Sequence, residues 1–206
     1  MDIYKKTISF KTRESELVLF KPLIFIDLEY ITTRYREYGH RAHLQEIIEL
    51  ASIVMGIDYI EKYTKIVKPR LYFKYMNSDS KLKKITLNDI EHGVDLEDVI
   101  EYLKIHYKPN ETKVISWGGA DLFNINNLCN QYGIDFKIYK NDYIDLSQKF
   151  RRFYGLTQAV KLQKALNILG IEDLYEKHRA LPDTEMLVKI FNKMVSDGFI
   201  ENNFII

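Results

Sequence analysis

The chain has 206 residues, a formal net charge of +1, 46% hydrophobic and 29% charged residues. This is length enough for one sizeable core with ordinary globular composition, and the near-neutral balance excludes recognition of a polyanion by bulk charge alone. The single cysteine excludes an internal disulfide. No apolar run reaches membrane-span length and the N-terminus MDIYKKTISFKTRESE lacks a signal-peptide core, which reads as a cytoplasmic protein without membrane association.

Residues 23–29, LIFIDLE, are apolar on both faces and read as a central strand. YREYGHRAHLQ reads as a polar loop carrying His40 and His43 on the surface. EIIELASIVMGID and YIEKYTKIVKP read as two further strands joined near Gly56 and Asp58, with Pro69 closing the latter. YFKYMNSDSKLKK reads as a loop that ends in a solvated charge run at 81–84. TLNDIEHG is a short capped helix, and DLEDVIEYLKIHYK a longer one with Leu96, Val99, Ile100 and Leu103 on one face. TKVISWGG is a fourth strand ending in a glycine pair.

ADLFNINNLCNQYG is a helix closed by Gly133. Cys129 falls on its apolar stripe with Leu122, Ile125, Leu128 and Tyr132, as a core residue rather than a nucleophile. FKIYKNDYIDL carries a fifth strand. SQKFRRFYG and LTQAVKLQKALNILG are helical, and a last helix after HRALP carries Leu187, Ile190, Phe191 and Met194. The order β-β-β-α-β-α-β-α-α predicts an antiparallel meander followed by parallel crossovers, an α/β fold with a five-stranded mixed sheet flanked by helices. With no linker and no repeat, residues 1–206 form one domain, its core at roughly 20–197, between short extensions.

Three acidic elements stand out. Side chains alternate along a strand, so Phe25, Asp27 and Glu29 share one face while Ile24, Ile26 and Leu28 share the other. Two carboxylates roughly 7 Å apart along a strand repel each other in a half-dry site. They become favourable around a divalent cation, and hard oxygen donors suit Mg²⁺ or Mn²⁺. Asp121 follows a strand and the Gly118-Gly119 turn and opens a helix. In HRALPDTEMLVKIF, Pro182 suits the first helical position, Leu181 before it is pushed toward extended backbone, and Asp183 falls in the first turn, where the helix dipole favours an anion. His178 precedes that helix. Taken singly, each element also has a plain structural reading: acids at a strand end, a helix N-cap, a dipole-stabilising Asp and a surface His.

Together, Asp27-x-Glu29, Asp121 and His178-x-x-x-x-Asp183 resemble the DEDDh set of DnaQ-like 3′–5′ exonucleases. The flanking stretches QEIIELASI, VKP, SWGGADL, YIDLSQKFRRFYG and HRAL carry the likeness across nearly the whole chain. Within that family it is most similar to the sporulation-inhibitor, KapD-type exonucleases, grouped with the histone-mRNA and enhanced-RNAi exonucleases. The resemblance implies a ribonuclease H-like fold and two divalent ions, Mg²⁺ or Mn²⁺, held by Asp27, Glu29, Asp121 and Asp183. His178 is then the general base, its ordinary pKa near ~6.5 suiting neutral pH. The implied substrate is the 3′ end of single-stranded nucleic acid, RNA more than DNA, cut to nucleoside 5′-monophosphates. The implied substrate contacts are Leu28 through its backbone, Tyr30, Ile31 and Trp117. Two departures from the family pattern are Pro182, where an acid is usual, and Tyr30, where a small or Thr-like residue is usual.

Smaller signals remain open. Lys149, Arg151 and Arg152 alternate with Phe150, Phe153 and Tyr154, which suits either a single strand of nucleic acid or a helix with an aromatic core face; Arg151 and Arg152 are carried as candidate substrate contacts. Asp145 reads as an N-cap with Gln148 three residues on. Glu46 and Glu49 fall on opposite strand faces by alternation, and one of them is placed to support the site. DLEYIT loosely mimics a haloacid dehalogenase motif, but its second acid is Glu rather than Asp. No glycine-rich phosphate loop follows the first strand. The non-enzymatic alternative is a catalytically silent, sporulation-related regulatory protein on the same fold, although all five candidate residues are present. Protein partners are not legible.

Overall fold

The computed structural model describes residues 10–11, 17–18, 21–56, 58–72, 85–172 and 179–199. His178 and the charge run at 81–84 lie outside the described residues. A short antiparallel pair, β1 (Phe10–Lys11) and β2 (Leu17–Val18), precedes the main sheet. That sheet is five-stranded, built from β3 (Leu23–Glu37), β4 (His40–Met55), β5 (Ile60–Ile66), β6 (Lys113–Ser116) and β7 (Tyr143–Asp145), in the order β5-β4-β3-β6-β7. β3, β4 and β5 pair antiparallel, while β6 and β7 add in parallel. The meander followed by crossovers is the topology the element order predicts.

The helices are α1 (Leu87–Glu91), α2 (Leu96–His106), α3 (Ala120–Tyr132), α4 (Leu146–Phe153), α5 (Leu162–Leu169) and α6 (Ala180–Ser196). Alternation along β3 divides the core between the two faces of the sheet. Leu23 and Phe25 pack with α4, α5 and α6, and Phe25 meets Phe191 edge-on at 5.2 Å. Ile24, Ile26 and Leu28 pack with α2 and α3. Each such fully buried side chain contributes roughly 1.5–3 kcal/mol. Cys129 is buried in the second cluster, and burial pushes its thiol up to about 11.

Four local expectations are corrected. The stretch expected as a polar loop is instead the arm of a long hairpin. Tyr38 and Gly39 both take positive φ, +47° and +82°, as a tight two-residue turn requires, so β3 and β4 pair out to Glu37 and His40; His40 and His43 are exposed on that arm. The helix expected from Leu156 begins only at Leu162, and the Val160 carbonyl accepts the Trp117 indole N–H at 2.9 Å instead of a helical partner.

The last helix begins at Ala180, not at Pro182, so Leu181 is helical. Its cap comes from across the fold, since Ala180 N–H donates to Glu49 Oε2 at 3.0 Å. Pro182 is tolerated because the first four N–H groups of a helix have no intrahelical partner.

Finally, the register shifts between Glu29 and Tyr30, so Glu29 pairs with Glu49 and Tyr30 with Ile47, leaving Ile48 as a bulge. Cross-strand partners share a face, and Glu46 pairs with Ile31. The bulge therefore puts Glu46 and Glu49 on the same face of the hairpin rather than on opposite ones.

Candidate active site

β3 and β6 run parallel, with Phe25 beside Ile115. Their C-terminal ends consequently open at the same edge, where ligands bind in open α/β sheets. Asp27 and Glu29 lie on β3 as it passes the end of β6. The chain leaving β6 turns through Gly118, whose φ of +109° only glycine adopts readily, and enters α3. Asp145 holds this turn by accepting Gly118 N–H at 3.1 Å, while also accepting from Ser147 Oγ at 2.6 Å and capping α4 through Gln148 N–H at 3.2 Å. The inward stripe of α3 is Asp121, Asn124, Ile125, Leu128 and Cys129, so helical spacing buries Asp121 and Asn124 at the edge where Asp27 and Glu29 emerge.

Asp183 completes the group from the first turn of α6. One carboxylate oxygen from each of Asp27, Glu29 and Asp183 lies within 4.8 Å of the others. Asp121 is set slightly apart: the Tyr30 hydroxyl donates to its Oδ1 at 2.5 Å. Asp27 feels the crowding most. Burial raises its pKa well above the usual carboxylate range, and the charges of Asp121, Asp183, Glu29 and Glu49 raise it further. Burial also lifts Asp121 to about 6, against the opposing effect of hydrogen bonds from Tyr30 and Ser116. Converging half-buried carboxylates, with Asp27 and Asp121 resisting ionisation, suit a hard divalent cation. Asp27, Glu29 and Asp183, with Asp121 beside them, are the residues that would hold it.

The other candidate residues differ in burial. Leu28 and Ile31 are buried, the latter in a small cluster with Ile48, Tyr72, Ile85 and Ile90. Trp117 is half-buried against Phe150 at 5.6 Å. On α4, Arg151 bonds Gln148 Oε1 at 3.1 Å and Arg152 is exposed.

Arg179 and Asn124, not singled out beforehand, are supports, and they join Glu46 and Glu49, which the sequence marks. Arg179 binds Glu49. Asn124 is buried one turn on from Asp121, and a polar residue continuing an apolar stripe is the signal that could have marked it. Glu46, also buried, accepts from Thr33 Oγ1 at 2.7 Å, Leu71 N–H at 2.9 Å, Tyr72 N–H at 2.9 Å and the Tyr132 hydroxyl at 2.9 Å. It ties the hairpin to the end of α3 and serves as structure.

A family model described as Exonuclease matches residues 24–191. The probable 3′-5′ exonuclease KapD of Bacillus subtilis (strain 168) is 29% identical over 177 residues, 85% of each chain. The nuclease domain of 3′hExo, a DEDDh family member bound to rAMP, superposes with a TM-score of 0.66 at 20% identity, covering 87% of this chain and 94% of that one. A 3′-exonuclease solved in 3′-end specific recognition of histone mRNA stem-loop superposes at 0.65 with 18% identity, over 92% and 71% of the two chains. Among the described residues, no helix is long and apolar enough to cross a membrane. With its ribonuclease H-like sheet and its acidic edge, this chain belongs to the DnaQ-like 3′–5′ exonuclease family.

Proposed function

We propose that the protein is a metal-dependent exonuclease that removes nucleotides from the 3′ end of single-stranded nucleic acid, RNA in preference to DNA, releasing nucleoside 5′-monophosphates. The observation that carries this reading is the convergence of Asp27, Glu29 and Asp183 oxygens within 4.8 Å, beside Asp121, in a chain of the exonuclease family. Two divalent ions, Mg²⁺ or Mn²⁺, would supply positive charge that activates a water and steadies the leaving 3′ oxygen. The four carboxylates orient around that charge, and their mutual repulsion is relieved by it. His178 takes the proton from the attacking water. It is the residue before Arg179, which Glu49 anchors. RNA is favoured because similar folds were solved with rAMP and with a histone mRNA stem-loop.

The Leu28 backbone, Tyr30, Ile31 and Trp117 line the approach of the terminal nucleotide in this reading. Arg151 and Arg152 on α4 neutralise phosphates further along the strand. Residues 1–206 act as one catalytic domain in the cytoplasm.

The test is degradation of 5′-labelled single-stranded RNA and DNA with Mn²⁺, Mg²⁺ or EDTA, beside Asp27→Ala. A metal-dependent ladder shortening from the 3′ end, absent in the variant, is expected, and the faster substrate reports the preferred sugar. Loss of both degradation and metal binding in the wild type would instead support a catalytically silent member of the fold.

A further inference from the structure

We propose that Tyr30 is a positioning residue that acts through Asp121: its hydroxyl pins one carboxylate oxygen and fixes where the fourth acidic ligand stands relative to Asp27, Glu29 and Asp183. The inference rests on the metal-dependent reading above, and it assigns a role to a residue outside the acidic set.

Two neighbouring residues of β3 grip the two halves of the site from opposite faces of the sheet. Glu29 projects toward Asp27 and Asp183. Tyr30 projects to the other face, among the side chains that pack with α2 and α3, and reaches Asp121 at 2.5 Å. The bulge falls between the Glu29 and Tyr30 pairings, where a local increase in twist re-aims side chains. Asp121 and Asn124 are both buried, at 7% and 4% exposure.

The polarity of the contact is set by chemistry. An ionised carboxylate can only accept, so the tyrosine proton points to Asp121. The Tyr30 hydroxyl thus holds one carboxylate oxygen of Asp121 and leaves the other for a ligand. Asn124 is buried one helical turn on from Asp121. Asp121 stands as the fourth carboxylate beside the Asp27, Glu29 and Asp183 group. Its placement therefore governs how much negative charge faces a cation. Supports of this kind are typically worth about 10–100-fold in metal affinity.

The experiment is Mn²⁺ binding to the purified protein, read by the electron paramagnetic resonance signal of free Mn²⁺, for the wild type, Tyr30→Phe, Asp121→Asn and the double variant. Tyr30→Phe keeps the ring and removes the hydroxyl. It is expected to weaken Mn²⁺ binding by about tenfold or more, with a metal-free Tm close to the wild type. In the Asp121→Asn background it is expected to add nothing, because the interaction it removes is already altered. Tyr30→Leu, which removes the hydroxyl with the ring, is expected to weaken binding at least as much as Tyr30→Phe, again only when Asp121 is present, and it carries the same test should the phenylalanine variant fold poorly. Unchanged affinity in both single variants, or a penalty that adds in full to that of Asp121→Asn, would overturn the inference. Failure of the wild type to bind Mn²⁺ would overturn the metal-dependent reading and this inference with it.

Discussion

Glu49 on β4 grips Arg179, the residue immediately before α6, with both carboxylate oxygens. Nε lies 3.0 Å from Oε1 and 3.1 Å from Oε2, and a terminal guanidinium nitrogen lies 2.8 Å from Oε1. Glu49 also pairs across the sheet with Glu29. One buried carboxylate thus joins the strand that carries Glu29 to the start of the helix that carries Asp183, and it anchors the neighbour of His178 in the chain.

Removing the cation is expected to cost more stability than removing the acid. The Glu49 side chain is 2% exposed and the Arg179 side chain 37%. Arg179→Ala leaves a buried charge with the Ala180 amide, whereas Glu49→Gln leaves a guanidinium that reaches water. A loss of about 3 kcal/mol is expected for Arg179→Ala, and less for Glu49→Gln, measured by urea unfolding. Both should lower kcat, by up to about 100-fold if α6 shifts by an ångström. Equal stability losses, or unchanged kcat, would count against the anchor.

Divalent metal should stabilise the fold by mass action. At a Mn²⁺ concentration about a hundred times Kd the gain is about 2.7 kcal/mol, or roughly 5–10 °C in Tm for a chain of this size. Asp27→Ala should abolish most of the shift in differential scanning fluorimetry. An equal shift in the variant would place the metal elsewhere.

Acid should relieve the metal-free site. The folded pKa of Asp121 is raised to about 6, above the ordinary value near ~3.9. A raised carboxylate contributes its stability below the unfolded value and loses it as pH rises through the folded one. Asp121→Asn should therefore have a higher Tm than the wild type at pH 7.5 without metal, and the two should converge as pH falls through 6 toward 4. A gap independent of pH would refute this electrostatic account.

Asp142 titrates with the opposite sign at the far end of the sheet. Burial works against its charge, but bonds from Asn110 N–H, the Tyr107 hydroxyl and Lys113 outweigh it and hold its pKa below the usual value. That stability is present above the unfolded pKa and lost as pH falls through the folded one. Asp142→Leu strands the nearly buried Lys113 ammonium and should cost about 3–5 kcal/mol. Activity per folded molecule should be unchanged, as measured by chemical denaturation alongside nuclease assays.

Arg152 offers a test of substrate approach. Arg152→Ala should raise KM with kcat retained and reduce the salt slope of binding by about one. An unchanged salt slope would remove Arg152 from the strand path.

Much of the site was legible along the chain because two periodicities express it. Period two on β3 puts Asp27 and Glu29 together on the face of Phe25, and helical period on α3 marked Ile125, Leu128 and Cys129 as inward, although only the structure shows that Asp121 and Asn124 continue that stripe. The order of strands and helices predicted the mixed sheet, whose parallel pairing brings the ends of β3 and β6 to one edge.

Tertiary structure alone decided the supports. Whether Glu46 shares the face of Glu49 depended on a bulge at Ile48, and a single inserted residue changes the face of everything beyond it. The start of α6 was set by a carboxylate 131 residues away in sequence, which no local capping pattern encodes. The partner of Tyr30 likewise lies 91 residues along the chain. Local patterning determines which face a residue takes, because it acts through neighbouring backbone geometry. Which polar groups satisfy one another is decided only when distant segments pack, because a buried donor must find its acceptor wherever the fold brings one.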